Sequence, residues 1–452
     1  MVESSQYDRE TMYLKRAFRR VGEWAPNLTE RVVPSRAQDG LQRFFGVPLR
    51  LAAAIVAAGL AGGALGAAYI RTLDVIDTWL GPDRWSVAAH GVMLVGVGLV
   101  VAVGIGLLGR PADVELLIDN IHIPEPQERG SESRLRSLLP ISLLCIGAGG
   151  PLGPEAPVVT MTGTVAHRLG RLFQLQVPEV RIVTIAGMAA GFTVLFNAPL
   201  GAALFALEIP HRRGIQYYEA IIPAAIGAVI GFGISTAVIR SGLQPVWDFP
   251  AIAPLHWPDL LWSVVAGALG AAIAVTFTLV TTGLKHVFRR IPMVARPAVG
   301  GGVLAMLAFV TPNALTNGEH QLNTLTGKVL VATLLVAGAV KLVAASVGVA
   351  TGWRGGFIIP LFFVGFCFSK ACAGLLPGAS EWAFIAATMV AANVGVTKTP
   401  LGSTLAVTGM AGIRLLPSTL IAALTSLILT SSLGLIDAQR ERVDVYAANG
   451  HG

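Results

Sequence analysis

In Gly149-Gly150-Pro151-Leu152-Gly153-Pro154-Glu155-Ala156-Pro157 a single carboxylate stands among glycines and prolines, between two long apolar runs. An ionisable side chain at membrane depth costs about 2.5–3.5 kcal/mol even on a lenient insertion scale. Such groups persist where they line an ion path, a proton path or a buried polar cavity. Glycine and proline also interrupt regular backbone. Hydrocarbon tolerates that break only where it is buried in protein or faces a cavity. Glu155 is therefore a candidate functional residue on its chemistry alone.

The rest of the chain supplies the membrane depth. Of 452 residues, 54% are hydrophobic and 13% charged, against about 25% charged in a soluble domain. Apolar runs near the ~20 residues that span a bilayer occur at 51–70, 86–108, 183–207, 220–239, 260–282 and 329–350. Shorter runs at 138–148, 357–367 and 404–412 read as half-helices or tilted segments. The fold class is an all-α polytopic membrane protein without room for a large soluble domain.

Charge sets the expected topology. The first 49 residues are polar, carry eight Lys and Arg residues from Arg9 to Arg43, and do not read as a cleaved signal peptide. Further basic clusters lie at 129–136, 212–213, 285–290 and 440–442, whereas loops 243–259 and 312–325 lack Lys and Arg. Positive residues favour the cytoplasmic side, so both termini are expected there, in a plasma (inner) membrane. The net charge of +7 is a topology signal; no nucleic-acid module accompanies it. The expected organisation is a cytoplasmic N-terminal segment at 1–50, a transmembrane domain at 51–440 and a cytoplasmic tail at 441–452. Trp247, Trp257 and Trp262 are expected in an interfacial belt. Cys145, Cys367 and Cys372 sit in apolar context without metal-ligand spacing, so no metal and no cofactor is expected.

Two halves of the domain, about 51–240 and 259–436, echo each other. Asn197-Ala198-Pro199-Leu200-Gly201 resembles Lys398-Thr399-Pro400-Leu401-Gly402, and Ala189-Ala190-Gly191 answers Ala391-Ala392-Asn393. Gly153-Pro154-Glu155-Ala156-Pro157 resembles Gly356-Phe357-Ile358-Ile359-Pro360, both being Gly-x-x-x-Pro. The offsets are 201 and 203 residues. Internal repeats of broken helices mark transporters whose site lies at the repeat interface. Each Gly-x-x-x-Pro reads as a break and a new helix start, with proline in the first turn. Helix N-termini offer free N–H groups and a positive dipole end. Two such ends aimed at one point hold an anion without the tight grip of a fixed lysine or arginine.

These motifs, in this order, resemble the CLC family of chloride channels and chloride–proton antiporters, over most of the chain from about residue 51 to 440. The pieces that carry the resemblance are Gly153-Pro154-Glu155-Ala156-Pro157, Phe196-Asn197-Ala198-Pro199-Leu200 followed by Glu208, Gly355-Gly356-Phe357-Ile358-Ile359-Pro360 and Lys398-Thr399-Pro400-Leu401. The resemblance implies an inverted repeat of tilted, broken helices, a homodimer with a separate path in each subunit, and transport of an inorganic anion. It implies that Glu155 is the gate, occupying an anion site when ionised and leaving when protonated or displaced. It also implies Gly153, Pro154, Gly356, Phe357 and Ile358 as the anion-binding helix ends. About 12 residues follow Arg440, too few for the paired regulatory domains common in eukaryotic members, so a prokaryotic type is expected.

The departures are equally specific. The family's Gly-Ser-Gly-Ile-Pro falls at Leu107-Leu108-Gly109-Arg110-Pro111, so Leu108 replaces the anion-coordinating serine. The coordinating tyrosine falls near Ile436 and Asp437, and the inner proton-accepting glutamate at Ile209, beside Glu208. Glu208 reads either as part of a proton path or as a structural helix-end residue. Lys341 reads as a structural partner, Arg354 as cytoplasm-facing, His90 as packed rather than relaying protons, and Lys398 as an attractor of anions or a topology charge. The expected function is anion transport, of chloride first, as a passive or voltage-gated channel or a proton exchanger. The alternatives are a transporter of fluoride, nitrate, bicarbonate or an organic acid, and a non-transporting sensor. No enzyme motif or Walker loop is present.

Overall fold

A computed structural model describes residues 48–112, 114–122, 128–212, 214–239, 247, 249–250, 254–378 and 380–439. The proposed C-terminal tail and nearly all of the N-terminal segment lie outside these residues, as do 243–246, 248 and 251–253 of loop 243–259, Arg213 and the basic cluster at 440–442.

The described residues form sixteen α-helices and no strand beyond one isolated bridge. The first half contains α1 (Leu49–Leu80), α2 (Val87–Leu108), α3 (Val114–His122), α4 (Glu128–Gly147), α5 (Glu155–Leu172), α6 (Val177–Phe196), α7 (Pro199–Glu208) and α8 (Ile221–Ile239). The second contains α9 (Trp257–Phe288), α10 (Arg296–Val310), α11 (Glu319–Thr324), α12 (Val331–Thr351), α13 (Ile358–Ala373), α14 (Glu381–Thr397), α15 (Pro400–Ala411) and α16 (Leu416–Leu429). The halves match helix for helix: α1 and α9 each run 32 residues, and α5 and α13 both begin three residues before the repeated proline's successor. Six helices are long and apolar enough to cross a membrane.

One expected span is two helices. The run at 183–207 ends α6 at Phe196, where Asn197 turns left-handed (φ 50°), and α7 restarts with Pro199. Asparagine tolerates this conformation because its short polar side chain bonds locally, and proline suits the first helical position. The second half repeats the device: Lys398 (φ 61°) ends α14 and Pro400 opens α15. Hydropathy runs through such a break because its residues remain buried.

The repeated Pro-Leu-Gly brings α7 and α15 into backbone contact. A Cβ on Gly201 would lie 2.5 Å from Ala406 N, and one on Gly402 would lie 2.5 Å from Phe205 Cα. Phe205 and Ala406 are themselves counterparts at the 201-residue offset. The two contacts are thus one contact made twice, across a local two-fold axis.

α6 and α14 form the centre. From Val183 to Phe196 and from Ala383 to Thr397 every residue is buried. A helix apolar on all sides belongs inside protein. By contrast, Ile222, Leu261, Leu279, Met306 and Ile428 present apolar side chains outward, as lipid-facing positions do. Trp257 is exposed, but Trp247 is not in a belt. It is 2% exposed, stacked on Phe249 and edge-on to Phe362. A large aromatic gains more from packing than its interfacial preference supplies.

Gly402→Ala should destabilise the protein by about 1–3 kcal/mol, the usual cost of overpacking, because its methyl meets helix backbone. Thermal unfolding in detergent should show the lowered midpoint, with Gly374→Ala, which meets nothing, unchanged.

Candidate functional site

The two Gly-x-x-x-Pro segments face each other. Gly153 N donates to Gly356 O at 2.7 Å, and Gly356 N donates to Gly153 O at 2.6 Å. This reciprocal antiparallel pair holds the starts of α5 and α13 side by side. Pro157 and Pro360 occupy the same third position of their helices. The first-turn N–H groups of a helix have no intrahelical partner, so both breaks deliver donors to one region.

Glu155 opens α5 but serves α13. Its Oε1 accepts from Ile359 N at 2.6 Å, while Oε2 has no partner among the described residues. The side chain is 1% exposed. It lies over the two bridging glycines: a Cβ on either Gly153 or Gly356 would overlap the carboxylate. The glycines therefore make both the backbone pair and the slot that seats the acid.

This geometry corrects the expected donor set. The N–H groups of Gly153 and Gly356 are committed to each other, and Pro154 has none. Phe357 and Ile358 remain at the open turn of α13, and the donor that holds the carboxylate is Ile359, one residue further than the expected set. The backbone bridge was not foreseeable from spacing, because nothing in Gly-x-x-x-Pro says which N–H groups pair.

Glu155 lines a cavity of about 480 Å³. Arg110, Lys285, Arg289, Arg296 and Arg354 line it, opposed by Glu115. Its lining also includes Thr160, Phe192, Ile209, Phe357, Ile358 and Ile436. Ile436 thus sits in the cavity, held by Gln439. The Gln439 Nε2 donates to Ile209 O at 2.9 Å and to Thr397 O at 2.7 Å. Neither Gln439 nor Thr160 was legible as part of the site; each is an isolated polar residue outside any motif.

Leu108 is elsewhere. It is the last residue of α2, 48% exposed, and outside this lining, whereas Arg110, Pro111 and Ala112 belong to it. A leucine at a helix end turns to the apolar surroundings, and the loop beyond Gly109 (φ 84°) reaches the cavity instead.

The remaining polar candidates are structural. Glu208 reaches across the repeat and caps α15: Leu401 N donates to Oε1 at 3.1 Å and Gly402 N to Oε2 at 2.8 Å. Lys341, fully buried, donates to the carbonyls of Leu315 and Thr316 at 2.5 and 2.8 Å. Lys398 is 3% exposed and donates to the carbonyls of Gly395 and Thr430. These carbonyls lie at the ends of α14 and α16. His90 is buried with both ring nitrogens unpartnered among the described residues, packed against the turn at Gly149. No cluster of three or more metal-ligating side chains occurs among the described residues.

Comparison with known proteins agrees with this arrangement. Residues 132–431 match the family described as "Voltage gated chloride channel". A chloride/fluoride channel protein of Pseudomonas syringae pv. tomato is 27% identical over 406 residues, covering 86% of each chain. The solved structure of a slow cyanobacterial Cl⁻/H⁺ antiporter superposes with a TM-score of 0.75 at 19% identity, covering 85% of this chain and 95% of that one. A CLC-type fluoride/proton antiporter gives 0.73 at 19% identity, covering 86% and 97%. At such identities the structures show the fold.

Glu208→Ala should lower stability by about 1.5–3 kcal/mol, the worth of hydrogen bonds to a charged group, and leave any proton dependence of transport as it was. Unfolding midpoints and pH-dependent flux, measured on the same preparation, check both halves.

Proposed function

Because the chain belongs to the voltage gated chloride channel family, we propose that it passes small inorganic anions across the membrane, with the Glu155 carboxylate as the gate. The observation that carries the gate is the Ile359 N–H bond: the acid of one repeat occupies the helix end of the other. A carboxylate is itself an anion, so it competes with chloride for Ile359 and for the neighbouring N–H groups of Phe357 and Ile358. Protonation weakens that claim and frees the helix end. An incoming anion displaces it by mass action.

The cationic lining at Arg110, Lys285, Arg289, Arg296 and Arg354 raises the local anion concentration, as charged clefts do. The apolar wall beyond it holds no fixed positive charge, and an anion there leaves as readily as it binds. Chloride is the first ion to test. Fluoride is the second, since the Pseudomonas relative and one structural neighbour carry it in their descriptions. The reading includes a homodimer with one path per subunit, an inner-membrane location with cytoplasmic termini, a transmembrane domain bounded near 51 and 440, and no cofactor.

Chloride efflux from proteoliposomes, recorded with external pH under a potassium-ionophore clamp, tests this function. Efflux without proton movement identifies a channel. Efflux with protons moving in the opposite direction identifies an exchanger that works with isoleucine at position 209. Absence of flux for chloride and fluoride alike overturns the reading.

Glu155→Gln mimics the protonated acid. Wild-type flux should rise as pH falls, because the neutral form releases the helix end, and the variant should be fast and flat across the same range. A variant with the wild-type pH profile excludes Glu155 as the gate. Gly356→Ala should act in the same direction, because its methyl takes the slot in which the carboxylate sits.

A further inference from the structure

The basic residues around the turn from α9 to α10 divide into two sets. Lys285, Arg289 and Arg296 line the cavity that Glu155 also lines, whereas His286 and Arg290 do not. Lys285 stands in the last turn of α9 and Arg289 caps it; four residues apart, they share one helix face. Arg296 joins them through the backbone. Its Nε donates to Ile291 O at 2.9 Å and its Nη2 to Arg289 O at 3.2 Å. These bonds hold the guanidinium against the turn, and its other N–H groups make no hydrogen bond among the described residues. Arg110, in the loop after α2, and Arg354, two residues before Gly356, belong to the same lining.

Topology and helix charge do not select this set. A positive loop needs Lys or Arg on one side of the bilayer, and Arg290 serves that end as well as Arg289. A cation near a helix C-terminus complements its dipole, which accounts for Lys285 and not for Arg110 or Arg296. Like charges four residues apart repel. Yet the side chains of Arg110, Lys285 and Arg289 are exposed and have no hydrogen-bond or ion-pair partner among the described residues. Glu115 and Glu155 are the acids of a lining that holds five cations. A monovalent anion in transit is not served by several full charges, because it must also leave. A polyvalent anion matches them. Arginine forks pair with phosphate oxygens two at a time, and lysine meets them as a point charge. The volume of about 480 Å³ falls in the range of roughly 300–1,000 Å³ typical of small-molecule pockets.

We propose that Lys285, Arg289 and Arg296, with Arg110, form a binding site for a soluble anion that carries two or more phosphate groups, and that its occupant plugs the anion path. Glu155 and these cations line one cavity, so the occupant fills space on the path and its charge repels a transported ion. The binding site stands on the cluster alone. The plug rests on the anion-transport reading.

The test is calorimetric titration of triphosphate, pyrophosphate and orthophosphate, at fixed ionic strength, into the purified full chain and its Lys285→Gln, Arg289→Gln and Arg290→Gln variants. All three side chains are exposed, and equal unfolding temperatures check that the variants fold. Chloride efflux from phosphatidylcholine proteoliposomes, with triphosphate on both faces, is read as the fractional block of each protein's own flux. Triphosphate should bind most tightly and orthophosphate least. Loss of a hydrogen bond to a charged group predicts roughly tenfold weaker triphosphate binding in Lys285→Gln and in Arg289→Gln, with block weakened to match. Arg290→Gln removes the same charge off the cavity and should bind and block as wild type. A wild-type protein that does not bind triphosphate overturns the proposal. So does an equal loss in Arg290→Gln, which reduces the effect to overall charge, or equal affinity for all three phosphates, which makes the cluster an unselective anion attractor. Block that requires phosphatidylglycerol in the vesicle and not triphosphate also overturns it, assigning the cluster to lipid headgroups. Binding without block overturns the plug. A protein that moves neither chloride nor fluoride before triphosphate is added overturns the transport reading and the plug with it, while the titrations still decide the site.

Discussion

The exchange of two hydrogen bonds between Gly153 and Gly356 is the constraint on which the rest of the structure depends. It ties together two helix starts that would otherwise leave unpaired backbone in a low-dielectric interior, where each unmatched group is expensive. By consuming one N–H and one carbonyl from each segment, it also fixes which donors remain. Those that remain belong to the first turn of α13. A side chain at either glycine would meet the Glu155 carboxylate, and the absent side chains leave the slot into which Glu155 folds. A single pair of glycines thus secures the break, aims the helix end and seats the acid.

The buried cations follow a consistent rule. Lys341 and Lys398 are both buried, and their partners include backbone carbonyls at 2.8 Å for Thr316 and 2.7 Å for Gly395. A carbonyl partner satisfies an ammonium without adding a carboxylate, and it occupies the donors that would otherwise attract the transported ion. Of the cations that line the cavity, Lys285 and Arg289 are exposed, where water screens them.

Much of this was legible in the chain, because its signals are local. Gly-x-x-x-Pro at a 203-residue offset and Pro-Leu-Gly at 201 gave the broken helices and their repetition, since glycine and proline act on the backbone wherever they stand. The break at Asn197 was hidden inside a hydropathic run because hydropathy reports burial and the break is buried. Trp247 misled for the opposite reason: tryptophan's interfacial preference is an average, and here Phe249 and Phe362 enclose it. Ile436 lines the cavity and Leu108 does not; neither position was legible in the chain, because neither segment carries an anchoring motif. Which N–H groups pair is decided by contacts between segments some 200 residues apart, to which sequence pattern is blind.

The repeat is symmetric in backbone and asymmetric in charge, and function lies in the difference. The 203-residue offset pairs Glu155 with Ile358 and Thr160 with Phe363, while the 201-residue offset pairs Glu208 with Gly409. Each polar residue thus has an apolar counterpart. Two carboxylates of the first half reach helix starts of the second, Glu155 to Ile359 and Glu208 to Leu401 and Gly402. One bond pattern serves two purposes because the surroundings differ. Glu208 uses both oxygens on adjacent N–H groups, which closes the helix end and fixes the acid as a cap. Glu155 uses one oxygen and has no partner for the other among the described residues, in a carboxylate that lines the cavity, and the proposed gate rests on that difference. A two-fold scaffold supplies helix ends in pairs; a fully satisfied acid on one and a half-satisfied acid on another is the asymmetry on which the proposed gate rests.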